Sequence, residues 1–221
     1  MTILITGATR GIGQALLEKA HARGDAVIGT TRHTPLSDAA NAGRWLHADM
    51  ADPASIATLG TALGKRPLDL LVCNAGVYLD RDQSLADGYA PALWADTFSV
   101  NVTGVFVTIQ TLLPNLLAAG GKIAIISSQM ASDTRAPGGS YIYRASKAAV
   151  LNLGRNLASD LKPRGVAVGI YHPGWVRTEM GGTSADISVD EAASGLLARF
   201  DALSLATTGC FETWDGRTHP F

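Results

Sequence analysis

The sequence predicts an α/β fold: a single domain whose doubly wound parallel sheet is flanked by helices on both faces. Short runs rich in β-branched residues alternate with longer helical patterns along the whole chain, as expected when crossover helices join parallel strands. Most of these runs are almost continuously apolar, which is typical of strands covered on both faces. A chain of 221 residues without repeat or linker has the size of one domain.

Six strands are predicted from their composition, and a seventh, just before Asp49, is a weaker candidate. Each strand is followed by a segment long enough to return to the same edge of the sheet, so all strands are expected to be parallel. In chain order the predicted strands are Thr2–Thr6, Ala26–Thr30, the weaker Arg44–His47, Leu68–Cys73, Lys122–Ser127, Val166–Tyr171 and Gly209–Trp214.

Three helices have ends that the sequence marks by residue type. A glycine after a helix takes the left-handed conformation readily, and Asp or Ser before a helix caps its free amides. Proline is well placed at the first helical position. The marked ends are Gly24 after a helix Ile12–Arg23, the pair Asp52 and Pro53, and a capping box of Ser188 and Glu191 that opens a helix to about Leu203.

Composition excludes several classes of function. The net charge is −1 and 47% of the residues are apolar, which gives no reason to expect nucleic acid or a charged membrane as partner. The five histidines are scattered, so no metal site is predicted. Cys73 and Cys210 lack metal or redox spacing and are expected to be reduced. No basic leader precedes the first strand, and we expect no apolar run to approach bilayer length. The sequence therefore predicts a cytoplasmic protein.

A glycine-rich turn joins the first strand to the first helix. Glycines stand at positions 7, 11 and 13, a spacing that differs from the G-x-G-x-x-G fingerprint although a strand leads in and a helix leads out. Backbone amides at such a helix N-terminus can bind a pyrophosphate, and glycines let it approach. A tight turn alone would explain the glycines equally well. The context favours a Rossmann-type dinucleotide site.

The end of the second strand bears on the choice of dinucleotide. A carboxylate there would bind the adenosine ribose diol, but the sequence runs Gly29-Thr-Thr-Arg32. Arg10, inside the glycine turn, lies within reach of the same region. Two guanidiniums and no acid favour NADP(H) over NAD(H), although each arginine taken alone could be a solvated surface charge.

Tyr143 and Lys147 are the candidate catalytic pair. Residues four apart lie on one face of a helix, and a neighbouring ammonium would lower the phenol pKa from its usual value of about 10. Tyr141 is the rival, but the residue four positions beyond it is Ala145. An amphipathic helix that carries an incidental tyrosine and lysine is the alternative, because the spacing is common by chance.

Polar residues at other strand ends complete the predicted site. Ser128, preferred over Ser127, follows a strand at the carboxyl edge of the sheet, where it could donate to a substrate carbonyl. Closing a local turn is the alternative role for either serine. Gly76 would allow a cofactor to approach, and Asn101 is a polar amide among apolar neighbours that requires a partner. The Asn74 segment and Asn101 could instead satisfy buried backbone groups.

The order of these motifs resembles the short-chain dehydrogenase/reductase family over nearly the whole chain. Two stretches, Tyr143-Arg-Ala-Ser-Lys-Ala-Ala and His172-Pro-Gly-Trp-Val-Arg-Thr-Glu-Met-Gly-Gly182, are most similar to its C-factor and sniffer-like carbonyl reductase branch. The resemblance implies reversible hydride transfer between nicotinamide and a small carbonyl or alcohol.

The resemblance also implies individual roles. Tyr143 would be the general acid/base, Lys147 would lower its pKa and bind the nicotinamide ribose, and Ser128 would orient the carbonyl. Asn101 would hold a water that continues the proton relay. The implied cofactor-binding residues are Gly7, Thr9, Arg10, Gly11, Ile12, Gly13, Arg32, Asp49, Met50, Asn74, Ala75, Gly76, Tyr143, Lys147, Pro173, Gly174, Val176 and Thr178.

Some positions depart from the family pattern. Tyr143 follows Ser128 by fifteen residues, slightly more than usual, and Ala131 stands where glycine is frequent. Only a short segment separates Thr178 from Ser188, so we expect an open substrate cleft. A dinucleotide-binding regulatory protein with vestigial turnover remains an alternative, and a homodimer or homotetramer is left open.

Overall fold

Seven parallel strands form one sheet in the computed structural model, which describes residues 1–33 and 44–221. The strand order is β3-β2-β1-β4-β5-β6-β7, so the chain winds outward in both directions from β1 and β4. The strands are β1 (Thr2–Ile5), β2 (Ala26–Thr31), β3 (Arg44–His47), β4 (Leu70–Cys73), β5 (Lys122–Ile126), β6 (Ala167–His172) and β7 (Phe211–Thr213). The predicted fold class is confirmed, and each predicted strand, including the weaker Arg44–His47, is present within two residues of its expected bounds.

Helices cover both faces of the sheet. Alternate residues of each strand point to opposite faces, so Leu4 packs into one core cluster while Ile3 and Ile5 pack into the other. The helices are α1 (Gly11–Ala22), α2 (Pro53–Leu63), α3 (Pro91–Phe98), α4 (Gly104–Ala119), α5 (Tyr141–Leu161) and α6 (Val189–Ala202). Buried residues of α1 and α6 belong to one cluster, and those of α2, α4 and α5 belong to the other.

The helix ends predicted from residue type are confirmed. Gly24, just beyond α1, has φ +92°, the left-handed conformation that glycine tolerates. The Asp52 side chain accepts a hydrogen bond of 2.9 Å from the amide of Ala54 at the start of α2. Ser188 and Glu191 form the reciprocal capping box of α6.

The expectation that no apolar run approaches bilayer length is wrong. Residues Pro91–Ala119 form one continuous helical stretch that is long and apolar enough to cross a membrane by length and composition. In this fold the stretch is a covering helix of the sheet, because Ile109, Leu112 and Leu116 of α4 are buried in the core.

Crossover connections from β1 and β4 run in opposite directions, which opens a crevice at the carboxyl edge of the sheet. The loops after β1, β2, β3, β4, β5 and β6 all meet there. Every candidate residue of the sequence analysis lies in one of these loops, at a strand end, or in the helix that follows.

Candidate active site

A cavity of about 480 Å³ extends along the carboxyl edge of the sheet, from the glycine turn to Tyr143 and Lys147. Most of the predicted cofactor-binding residues line it: Gly7, Thr9, Arg10, Gly11, Ile12, Gly13, Arg32, Asp49, Met50, Asn74, Ala75, Gly76, Tyr143, Lys147, Pro173 and Thr178. The sequence analysis did not predict other parts of the lining, among them Thr30, Thr31, Val77, Arg177 and Glu179.

The close packing of the glycine turn is possible only because glycine has no side chain. A Cβ on Gly13 would lie 2.3 Å from the carbonyl oxygen of Gly7 and 2.5 Å from Asn74 Nδ2, so any other residue would push the turn apart. Gly7 has φ +65°, and a Cβ there would lie 3.0 Å from the Cα of Ala75. The turn therefore folds back closely on the segment that follows β4.

Asn74 and Thr6 join these two segments. Asn74 Nδ2 donates to the carbonyl oxygens of Thr6 and Gly7 at 2.9 and 3.1 Å. The amides of Asn74 and Ala75 both donate to Thr6 Oγ1 at 3.0 Å. The alternative reading of the Asn74 segment is thus correct for its side chain, which satisfies backbone groups and fixes the cavity wall.

The N-terminus of α1 faces the cavity with its amides available. Arg10 is the N-cap residue with extended backbone, φ −157°, and its own side chain does not cap the helix. The first turn also contains no acidic residue. Free amides and the positive end of the helix dipole make this position suitable for an anion.

Both arginines that were predicted to favour NADP(H) line the cavity, but one of them is already ion-paired. Arg32 lies at the cavity, directly after β2. Arg10 also lines it, but its guanidinium forms an ion pair with Glu179, a residue in the segment after β6 that also borders the cavity. The carboxylate of Glu179 therefore competes for the cation that the sequence analysis assigned to a cofactor phosphate.

At the other end of the cavity, Ser128 and Tyr143 are neighbours. The Ser128 side chain lies near enough to the Tyr143 hydroxyl to lower the pKa of the phenol, and it accepts a hydrogen bond from the amide of Met130 at 3.1 Å. Ser127 Oγ instead donates to the carbonyl oxygen of Lys147 at 3.0 Å. This arrangement favours Ser128 over Ser127 as the hydroxyl that would meet a substrate, although Ser127, not Ser128, borders the cavity itself.

The pKa of Tyr143 is shifted in the direction opposite to the one expected. Burial raises it to about 12, against the opposing effect of Ser128. Lys147 Nζ lies 5.6 Å from the centre of the Tyr143 ring and donates to the carbonyl oxygen of Ile126 at 3.0 Å. Burial lowers the pKa of Lys147 to about 8. Burial is thus the largest cause of both pKa shifts.

Asn101 occupies a π-helical turn, Ser99–Thr103, between α3 and α4, a distortion frequent at functional sites. Its Oδ1 accepts from the amide of Val77 at 2.8 Å, and its Nδ2 donates to the carbonyl of Val77 at 2.9 Å and to Ser146 Oγ at 3.0 Å. The side chain therefore holds the loop after β4 against α5. Its water-relay role stays a prediction.

Two residues that the resemblance assigns to the cofactor, Val176 and Gly174, are placed at the rim of the turn after β6, and their cofactor contacts stay a prediction. Val176 is 4% exposed and pairs with Ile187 in an isolated bridge. Gly174 has φ +89°, and a Cβ on it would lie 2.5 Å from Ile187 and 2.9 Å from Trp214. Neither is among the described residues that border the cavity. They shape the turn that presents Pro173 and Thr178.

The loop after β4 contributes two residues that the sequence analysis missed. The ring of Tyr78 stacks on that of Tyr143, with centroids 4.3 Å apart and an angle of 24° between planes. Asp80 is fully buried, and its carboxylate accepts the amides of Ile142 and Tyr143. A buried acid in a polar loop is a weak sequence signal, because its partners are more than sixty residues away.

Fold and site together define an α/β protein with a dinucleotide-type cleft and a tyrosine–lysine–serine group at one end. A family model described as short chain dehydrogenase matches residues 1–187. The chain belongs to the short-chain dehydrogenase/reductase family of oxidoreductases.

Similar proteins confirm the predicted branch. The C-signal protein of Myxococcus xanthus is 34% identical over 160 residues, which cover 70% of this chain and 93% of the relative. The carbonyl reductase Sniffer of D. melanogaster has a TM-score of 0.92 at 25% identity, covering 100% of this chain and 99% of that chain. An NADPH-bound carbonyl reductase from chicken fatty liver has a TM-score of 0.88 at 28% identity, covering 100% and 98%.

Proposed function

We propose that this protein is an NADP(H)-dependent oxidoreductase of the carbonyl reductase or alcohol dehydrogenase type, acting on a small carbonyl or alcohol. The observation that carries the proposal is the position of Tyr143, which borders the same cavity as the glycine turn and lies beside Ser128. A cofactor bound along this cavity would reach from the glycine turn to Tyr143, so that its reactive ring would lie beside the phenol.

The described residues fit a dinucleotide. The uncapped N-terminus of α1 and the space left by Gly7 and Gly13 suit a pyrophosphate. Lys147 borders the cavity beside Tyr143, where the nicotinamide half would be held, and Pro173 and Thr178 line the cavity too. The nicotinamide, when bound, supplies or accepts the hydride.

Preference for NADP(H) rests on charge around the adenosine end. Arg32 and Arg10 border the cavity there, and a guanidinium suits a phosphate better than a sugar diol. Asp49 also borders this end, but its Oδ1 accepts the amide of Ala51 at 2.9 Å. The similarity to a carbonyl reductase described as NADPH bound supports the same choice.

Tyr143 performs the proton transfer. With a pKa near 12, the phenol is protonated at neutral pH and can donate its proton to the oxygen of a carbonyl that is being reduced. Ser128 orients that oxygen through a second hydrogen bond. Lys147, with a pKa near 8, is mostly an ammonium at neutral pH and stabilises the phenolate that remains.

Oxidation of NADPH against aldehydes, ketones and quinones, followed by absorbance, tests the proposal. We expect turnover with at least one carbonyl class and faster turnover with NADPH than with NADH. Tight NADPH binding without turnover on the panel would instead favour a dinucleotide-binding regulator, an alternative suggested by the similarity to the C-signal protein. Absence of dinucleotide binding would refute both.

A further inference from the structure

Asp80 is a buried charge that lies beside the catalytic helix. It is 0% exposed, although Leu79 before it and Arg81 after it are exposed. Burying a carboxylate costs free energy unless strong hydrogen bonds compensate for the lost water. The partners of Asp80 therefore indicate why it points inward.

Those partners are the first amides of α5. Asp80 Oδ2 accepts the amide of Ile142 at 2.8 Å, and Oδ1 and Oδ2 accept the amide of Tyr143 at 3.2 and 3.4 Å. The residue at the N-cap position itself, Ser140, has φ +48° and does not cap the helix with its side chain. Asp80 thus replaces the local cap from 62 residues away, at the helix end where a negative charge is favourable.

The same loop also fixes the ring of Tyr143. Tyr78 stacks on it at 4.3 Å, and the Tyr78 hydroxyl is hydrogen-bonded to Ser140 Oγ. Backbone and side chain of Tyr143 are therefore both held by the segment Tyr78–Asp80. A displacement of that segment would move the phenol relative to Ser128 and the cavity.

We propose that Asp80 is a positioning residue that acts through Tyr143: its buried carboxylate caps the catalytic helix and sets the place and the electrostatic surroundings of the phenol. This inference rests on the proposed role of Tyr143 as proton donor. Asp80 is not expected to touch substrate or cofactor.

The charged and titratable groups around Tyr143 come from two elements. The loop after β4 supplies Tyr78, Asp80 and Arg81, and α5 itself supplies Lys147. The negative charge of Asp80 raises the pKa of Tyr143, whereas Arg81 lowers it. Neutralising Asp80 should therefore lower the phenol pKa, an effect that a purely structural cap would not have.

The test compares Asp80→Asn and Asp80→Ala with Asp82→Asn, which removes an exposed carboxylate of the same loop. Asparagine keeps an oxygen that can accept a hydrogen bond from an amide but loses the charge, whereas alanine loses both.

We expect Asp80→Ala to lower kcat by about tenfold or more, since small displacements of a reacting group are costly. The NADPH Kd should stay within about twofold of wild type. Asp80→Asn should keep most of kcat but move the rising limb of the pH profile for alcohol oxidation, the direction that needs the Tyr143 phenolate, to lower pH. Asp82→Asn should change neither.

A second arm places Asp80→Ala in a Tyr143→Phe background. If Asp80 acts through Tyr143, the substitution should cost little of the residual turnover there, because coupled residues are not additive. An equal loss in both backgrounds, or wild-type kcat and pH profile in both Asp80 variants, would overturn the inference. A wild-type protein without turnover on any substrate would overturn the proposed function itself.

Discussion

Reversing the charge of Arg32 should change which dinucleotide the protein prefers. Arg32 directly follows β2, lines the adenosine end of the cavity and is exposed. We expect Arg32→Asp to weaken NADPH binding and to leave NADH binding unchanged or stronger. The new carboxylate would repel a 2′-phosphate, whereas it could accept hydrogen bonds from a ribose diol.

The size of the effect follows from the exposure of Arg32. Hydrogen bonds to charged groups contribute about 1.5–3 kcal/mol, and a solvated guanidinium belongs at the lower end of that range. About 1.4 kcal/mol corresponds to tenfold in affinity, so loss of the contact alone should raise the NADPH Kd about tenfold. Repulsion from the carboxylate adds to this at low ionic strength and is screened by salt.

Calorimetric titration with NADPH and NADH measures both affinities, and the ratio of kcat/KM values gives an independent check. Arg164→Asp is the matched control, because Arg164 is also exposed but lies in the short turn before β6, at the opposite edge of the sheet. An unchanged NADPH/NADH ratio in Arg32→Asp, or an equal change in the control, would refute the assignment of Arg32.

Two further predictions concern groups at the cavity. Glu179→Gln should free Arg10 from its ion pair. The NADPH Kd, measured by calorimetry, should then fall by about 1.5- to 5-fold, the range that exposed ion pairs contribute. Asp201→Asn is the control and should give no such gain, because its partner Arg23 lies beyond the other end of α1. The lowered pKa of Lys147 means that its ammonium is present below about pH 8 and is lost above it, so kcat/KM for carbonyl reduction should fall as pH rises through about 8. A rate that stays constant well above that pH would contradict the role of the ammonium.

Much of the fold could be predicted from sequence because its signals are local. The inner strands β1, β4, β5 and β6 are buried almost throughout and are therefore mostly apolar. Residues such as Asp52 and Ser188 mark helix ends by chemistry that acts within three residues. The glycine turn and the Tyr143/Lys147 pair are local as well. The structure brings both to one cavity, as the order of motifs predicted.

Features that depend on tertiary contacts could not be predicted in this way. The partner of Arg10 is 169 residues away, and Asp80 caps a helix 62 residues further along the chain. The raised pKa of Tyr143 comes mainly from burial, and burial cannot be inferred from the four-residue spacing of Tyr143 and Lys147. The burial of Val176, which the resemblance assigned to the cofactor, likewise depends on tertiary contacts.

The most direct test of the account is the Tyr143→Phe variant, which removes one hydroxyl and keeps the ring that stacks on Tyr78. Proton transfer by a positioned acid contributes about 10²- to 10⁴-fold, so kcat for reduction of the best substrate should fall by at least about a hundredfold. NADPH affinity should stay within about twofold of wild type, because the hydroxyl gives a proton and does not anchor the cofactor. Turnover close to wild type in this variant would contradict the central claim that the Tyr143 phenol is the proton donor.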